Sequence, residues 1–138
     1  MPSIARGNSS RSTVAADAGA GVPPHLAAGA RAEAVAADFL IARGLTIVAR
    51  NFRTRRGEVD LIARVGATLV FVEVRLRSSS RFGGAAASIT AAKRARLTAA
   101  ARAYLAQLGR EPPCRFDAVL LDRLDAPLIT WERDFLAE

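Results

Sequence analysis

The stretch RGEVDLIARVGATLVFVEVRLR, from Arg56 to Arg77, reads as two β-strands folded back on each other. Val59, Leu61, Val70, Val72 and Val74 give it the β-branched, apolar texture of strands, and Gly66-Ala67 interrupts the run where a tight turn belongs. With that dipeptide as the loop, Val65 and Thr68 flank it, Asp60 falls opposite Glu73 and Glu58 falls opposite Arg75. Alternation along each strand then puts Glu58, Asp60, Glu73 and Arg75 on one face, with directly opposed Cβ atoms about 4.5–5.5 Å apart. Carboxylates side by side in an apolar hairpin repel each other and are costly to desolvate. A hard divalent cation with oxygen ligands resolves both costs. The alternative is a pair of exposed carboxylates neutralised by Arg75, Arg55 or Arg56.

Outward from this hairpin the chain is short. Its 138 residues suffice for one core, and 51% of them are hydrophobic. Met1 to Pro24, rich in Ser, Ala, Gly and Arg and without apolar periodicity, reads as a disordered basic tail, leaving 25–138 as a single domain. From His25 to Arg43 the alanine-rich run is a strong helix former closed by Gly44, with Leu26, Ala30, Glu33, Ala37, Leu40 and Ile41 on one stripe and Val35 and Phe39 widening it. Glu33 therefore lies within or beside the buried face, either paired with an arginine or aimed at the acidic hairpin.

Leu45 to Arg50 reads as a short strand, and Asn51 to Gly57 as a connection carrying Arg53, Arg55 and Arg56. Ser78 to Ala87 is a Gly- and Ser-rich loop with an Arg81-Phe82 pair suited to charge and stacking contacts. Thr90 is an N-cap for a helix from Ala91 to Leu108, stopped by Gly109, with Leu97, Ala101, Tyr104 and Leu108 as its apolar stripe. Lys93, Arg94 and Arg96 crowd its first turns, where positive charge opposes the helix dipole, so local stability does not explain them and an anion contact does. Arg115 to Leu121 is an apolar strand, Leu128 to Trp131 an edge strand, and the polar terminus docks back through Phe135. The order helix, strand, strand, strand, helix, strand implies an α/β (α+β) fold, a mixed sheet flanked by two helices with the hairpin in its middle.

Twenty basic residues against 13 acidic leave a net charge of +7, and nineteen of the twenty are Arg, with Lys93 alone. The planar guanidinium fork matches phosphate, which makes nucleic acid the leading partner. Cys114, the single cysteine, excludes an intramolecular disulfide and a cysteine-based zinc site, and fits a reducing cytoplasm. His25 stands alone and takes no role. No apolar run approaches bilayer length, and the N-terminus lacks the apolar core of a secretory signal, so no membrane partner is implied.

The residues Asn51-Phe52-Arg53-Thr54-Arg55-Arg56-Gly57-Glu58-Val59-Asp60-Leu61-Ile62, then Phe71-Val72-Glu73-Val74-Arg75-Leu76-Arg77, then Lys93 and Arg115-Phe116-Asp117, resemble the uncharacterised YraN-type bacterial proteins from about Gly29 to about Leu121. That family is similar to the restriction-endonuclease-like PD-(D/E)xK superfamily, whose motif sits on such a hairpin. The resemblance implies a Mg²⁺- or Mn²⁺-dependent nuclease acting on structured DNA, with Asp60 and Glu73 as metal ligands, Glu33 as the helical carboxylate and Arg75 stabilising charge on the phosphate. Arg53, Arg55, Arg56, Arg77, Lys93, Arg94 and Arg96 would hold the nucleic-acid backbone without reading sequence. Position 75 departs from the superfamily pattern, which has Lys. Arg stays protonated where Lys can be tuned toward neutrality, so the alternative is a catalytically silent nucleic-acid-binding or assembly protein on the same fold. A dimer is compatible with either reading.

Overall fold

The computed structural model describes residues 24–76 and 89–136. The tail expected over the first 24 residues, except its last, and the Gly/Ser-rich loop with Arg77, Arg81 and Phe82 lie outside them. The chain divides into two compact units, Met1–Arg31 and Ala32–Glu138. Helix α1 (Pro24–Ala42) begins in the first, and every strand belongs to the second.

Five strands, β1 (Thr46–Arg53), β2 (Glu58–Val65), β3 (Thr68–Leu76), β4 (Cys114–Leu121) and β5 (Ile129–Glu132), form one sheet in the order β1-β2-β3-β4-β5. All neighbours are antiparallel except β3 and β4, which run parallel and are connected through helix α2 (Ala91–Leu108). A parallel pair needs such a crossover, whereas antiparallel neighbours need only a turn. The expected mixed sheet with two helices is therefore observed, with β3, the second strand of the hairpin, at its centre.

The hairpin register is the expected one: Val65 pairs with Thr68, Ala63 with Val70 and Leu61 with Val72. Gly66 carries the turn at φ +59, a conformation costly to a residue with a Cβ. The sheet is covered by two apolar clusters. One joins Ala36, Ala37 and Leu40 of α1 to Leu61, Ala63, Val70, Val72, Val119 and Leu121, and the other joins Leu97, Ala100 and Ala101 of α2 to Val59, Ile62, Leu69 and Phe71. Phe52, Tyr104, Phe71 and Phe116 extend the second through edge-on and tilted ring contacts.

Two elements differ from the sequence reading. The first strand continues through Asn51 (φ 52) to Arg53, because Phe52 and Arg53 still pair with Val59 and Glu58 of β2; its register shifts earlier, between Ile47 and Ala49. The inward face of α1 is rotated from the expected stripe: Ala32, Ala36, Ala37 and Leu40 are buried, Ile41 is 48% exposed and Glu33 is half-buried. On α2 the caps agree with the reading: the Thr90 side chain accepts from the Lys93 N–H, and Gly109 closes the helix at φ +80. Phe135 docks back, its N–H donating to the Phe116 carbonyl at 2.8 Å. No described helix is long and apolar enough to cross a membrane.

Candidate active site

The β2–β3 ladder stops at Leu61 and Val72, one step short of Asp60 and Glu73. Where the next backbone bond would form, the Asp60 side chain intervenes: its Oδ2 accepts the Val74 N–H at 2.8 Å. A carboxylate thus stands where a β2 carbonyl would, and the strands part around it. The same place breaks the side-chain alternation. Val59 and Ile62 both pack in the α2-side cluster, Leu61 packs in the α1-side cluster, and on β1 both Ala49 and Phe52 face α2. The β1–β2 register shifts only between Ile47 and Ala49, so at Asp60 and left-handed Asn51 it is the side-chain faces that change, and Glu58, Asp60, Glu73 and Arg75 do not share one face by strict alternation. Asp60 lies instead in the opening between strands, within electrostatic reach of Glu33 from α1 and of Glu73 and Lys93.

Burial dominates the electrostatics of both carboxyls. It raises Asp60 from 3.8 to about 6, with the Val74 N–H and Lys93 pulling it back and Glu33 and Glu58 pushing it further. It likewise raises Glu73 from 4.5 to about 7, helped by the neighbouring Asp60 charge and opposed by Lys93 and Arg75. The Lys93 Nζ stands 3.3 Å from Glu73 Oε2, with Glu73 only 8% exposed. Two carboxylates and one ammonium therefore converge from the hairpin and from the first turn of α2.

The other residues expected at the site have different surroundings. Glu33 acts on Asp60 through charge. Among the described residues no three His, Cys, Asp or Glu side chains form a group able to hold a metal ion, so Glu33 does not complete a three-carboxylate set with Asp60 and Glu73. Glu58 pairs across β1–β2 with Arg53, whose Nε lies 3.7 Å away, and not with Arg75. Arg75 is half-buried and close enough to lower the Glu73 carboxyl. Arg94 is engaged internally, its Nε donating to the Ile89 carbonyl at 3.3 Å with the guanidinium 5.6 Å over the Phe135 ring. Arg55, Arg56 and Arg96 are exposed.

Two residues that hold the site in place carry no chemistry of their own. A Cβ at Gly57 would lie 1.8 Å from the Arg96 carbonyl oxygen, so only glycine lets the start of β2 seat against the α2 backbone, close to the turn that carries Lys93. Asp117, fully buried, accepts from Arg115, from Trp131 Nε1 at 2.9 Å and from the Asp134 N–H at 2.9 Å, tying β4, β5 and the terminal turn together. The sequence signal for Gly57 was its place directly before an acidic strand. For Asp117 it was an acid within an apolar strand.

The fold and this arrangement define an α+β protein with a helix-flanked mixed sheet and a carboxylate pair, Glu73 buried and Asp60 half-buried, at a parting hairpin. The chain belongs to the uncharacterised protein family UPF0102, whose model matches residues 32–121, as the resemblance to YraN-type proteins implied. It is similar to a UPF0102 protein of Methylobacillus flagellatus, 55% identical over 103 residues that cover 75% of this chain and 90% of that one. It is also similar to UPF0102 proteins of Nitrosomonas europaea, 54% identical over 110 residues (80% and 93% covered), and of Cupriavidus taiwanensis, 57% identical over 106 residues (75% and 81% covered).

Proposed function

We propose that the chain is a divalent-metal-dependent phosphodiesterase of nucleic acid, of the PD-(D/E)xK kind, acting on structured DNA in the cytoplasm. The observation that carries this reading is the Asp60–Glu73 pair: a half-buried and a buried carboxyl, both raised toward neutrality, held where the hairpin strands part. A protein does not gain stability from such a pair, and perturbed carboxyls in one place mark sites built for a cation or a proton. Mg²⁺ is commonly held by one or two carboxylates together with water and substrate phosphate, so two ligands suffice and a third is not required. Asp60 and Glu73 would hold the ion, which supplies Lewis-acid polarisation of the phosphate and acidifies its water.

The rest is the chain's own work. Asp60 is oriented by the Val74 N–H, which fixes its Oδ2. Lys93 brings to Glu73 the ammonium that the motif would place at position 75, from a helix instead of a strand. Its role is to position the nucleophile beside the carboxylate pair. Arg75, close to Glu73, stabilises charge developing on the phosphate.

The test is cleavage of single-stranded, duplex and branched DNA and RNA with Mg²⁺ or Mn²⁺. Asp60→Ala and Glu73→Ala should each abolish cutting, a loss on the order of 10³-fold or more for machinery of this kind. Lys93→Ala should cost more than Arg75→Ala. Metal-dependent cutting that survives both carboxylate substitutions sinks the assignment. A silent binding protein is the rival, favoured by the Lys93–Glu73 ion pair, which neutralises part of the site without any metal. Absence of cutting on every substrate, with intact binding, would select it.

A further inference from the structure

Two hollows run end to end along the outer side of α2 and share Arg102. The first, about 850 Å³, is walled by Thr54, Arg55 and Arg56 of the β1–β2 turn and by Arg102, over a low floor that includes Ala95 and Ala99. The second, about 510 Å³, continues from Arg102 to Arg110 and Glu111 beyond the end of the helix. The turn is pre-set. Thr54 Oγ1 accepts from the Arg56 and Gly57 N–H groups at 3.1 Å, and Gly57 is seated against the Arg96 backbone, so the backbone that carries the two turn arginines is held against the helix. Arg55, Arg56, Arg102 and Arg110 make no ion pair among the described residues. Three unneutralised guanidinium groups around one hollow, in a chain of net charge +7, call for an anionic occupant.

We propose that this groove holds the sugar-phosphate backbone of a nucleic acid, with Arg55, Arg56 and Arg102 each at a phosphate and Arg110 contributing less because Glu111 lies beside it. The proposal rests on the phosphodiesterase reading for its choice of polyanion. The geometry suits a helical backbone: α2 rises about 1.5 Å per residue, so the lining from Ala95 to Gly109 spans roughly 21 Å, about six base-pair steps of 3.4 Å. Lys93 and Arg102 are nine positions apart on one helix, roughly 14 Å along its axis and half a turn around it, so Arg102 stands on the side of α2 turned away from the Lys93–Glu73 contact. Arg102 is the residue that this assigns anew, as the anchor common to both hollows.

The experiment is fluorescence anisotropy of the full chain with labelled duplex and single-stranded oligonucleotides, titrated with salt and without divalent metal. Each phosphate contact adds about 0.9 to the slope of log affinity against log salt. Arg102→Ala should reduce that slope by about 1 and Arg55→Ala with Arg56→Ala by about 2, equally for unrelated sequences. Asp60→Ala should leave the slope in place. An unchanged slope in the Arg55, Arg56 and Arg102 triple alanine variant overturns the groove, even if the wild type cuts. A lost slope in a protein that cuts nothing upholds the groove and removes the nuclease. Polyglutamate binding as tightly as an oligonucleotide of equal charge overturns it too, since the groove would then hold any polyanion.

Discussion

At the scale of single residues the Asp60–Glu73 pair makes a sign-definite statement about pH. Both carboxyls are raised in the folded chain, from 3.8 to about 6 and from 4.5 to about 7, so between those values the native state binds more protons than the unfolded one. Stability contributed by these groups therefore falls as pH rises from about 4 to about 7 and is lowest above that. Asp60→Asn keeps an oxygen for the Val74 N–H and removes the charge, so its melting temperature should exceed that of the wild type at pH 8 and approach it at pH 4.5. Mn²⁺ should raise the wild-type melting temperature at pH 8, raise it less at pH 5, and leave Asp60→Asn nearly unmoved. Differential scanning fluorimetry reads both, and a variant that melts below the wild type at pH 8 would contradict the electrostatic account. Lys93 adds a second prediction: Lys93→Gln should raise the Glu73 carboxyl further, moving the steep part of the stability curve to higher pH.

At the scale of elements, two contacts decide whether the site is assembled at all. Gly57→Ala drives a Cβ into the Arg96 carbonyl, where the obstacle is backbone and cannot swing aside. A loss of about 2–3 kcal/mol is expected in urea unfolding, with activity falling further because the turn and α2 are forced apart. Asp117→Ala leaves Arg115, Trp131 Nε1 and the Asp134 N–H without their common acceptor, and should cost about 3–5 kcal/mol, read by the Trp131 fluorescence transition.

For the whole molecule, net charge and the placement of charge make different predictions. If +7 alone governed nucleic-acid affinity, Arg64→Ala with Arg123→Ala would weaken binding as much as Arg55→Ala with Arg56→Ala. The groove predicts a small effect for the first pair and a steep one for the second in the same anisotropy titration, since Arg64 and Arg123 line neither hollow. How much of the molecule was legible in the sequence depends on locality. The hairpin register follows from one Gly-Ala turn and a run of valines, and the α2 caps from Thr90 and Gly109, all read within a few residues. The break in side-chain alternation at Asp60 was hidden because it is a joint property of two strands and of Asn51 in a left-handed conformation. Likewise Lys93 meets Glu73 only through the β3–α2–β4 crossover, and Arg102 faces Arg55 only because Gly57 touches α2. Such juxtapositions belong to packing, which periodicity does not encode.

The hydrogen bond from Val74 to Asp60 gives the protein a spectroscopic handle on its own site. An amide proton bound to a carboxylate resonates downfield of one bound to a neutral carboxyl, so the Val74 ¹H–¹⁵N signal should titrate with the Asp60 carboxyl and move again when a cation draws charge from its oxygens. One backbone resonance would then report protonation, metal occupancy and the parting of the strands, in a chain that need not turn over any substrate to be observed.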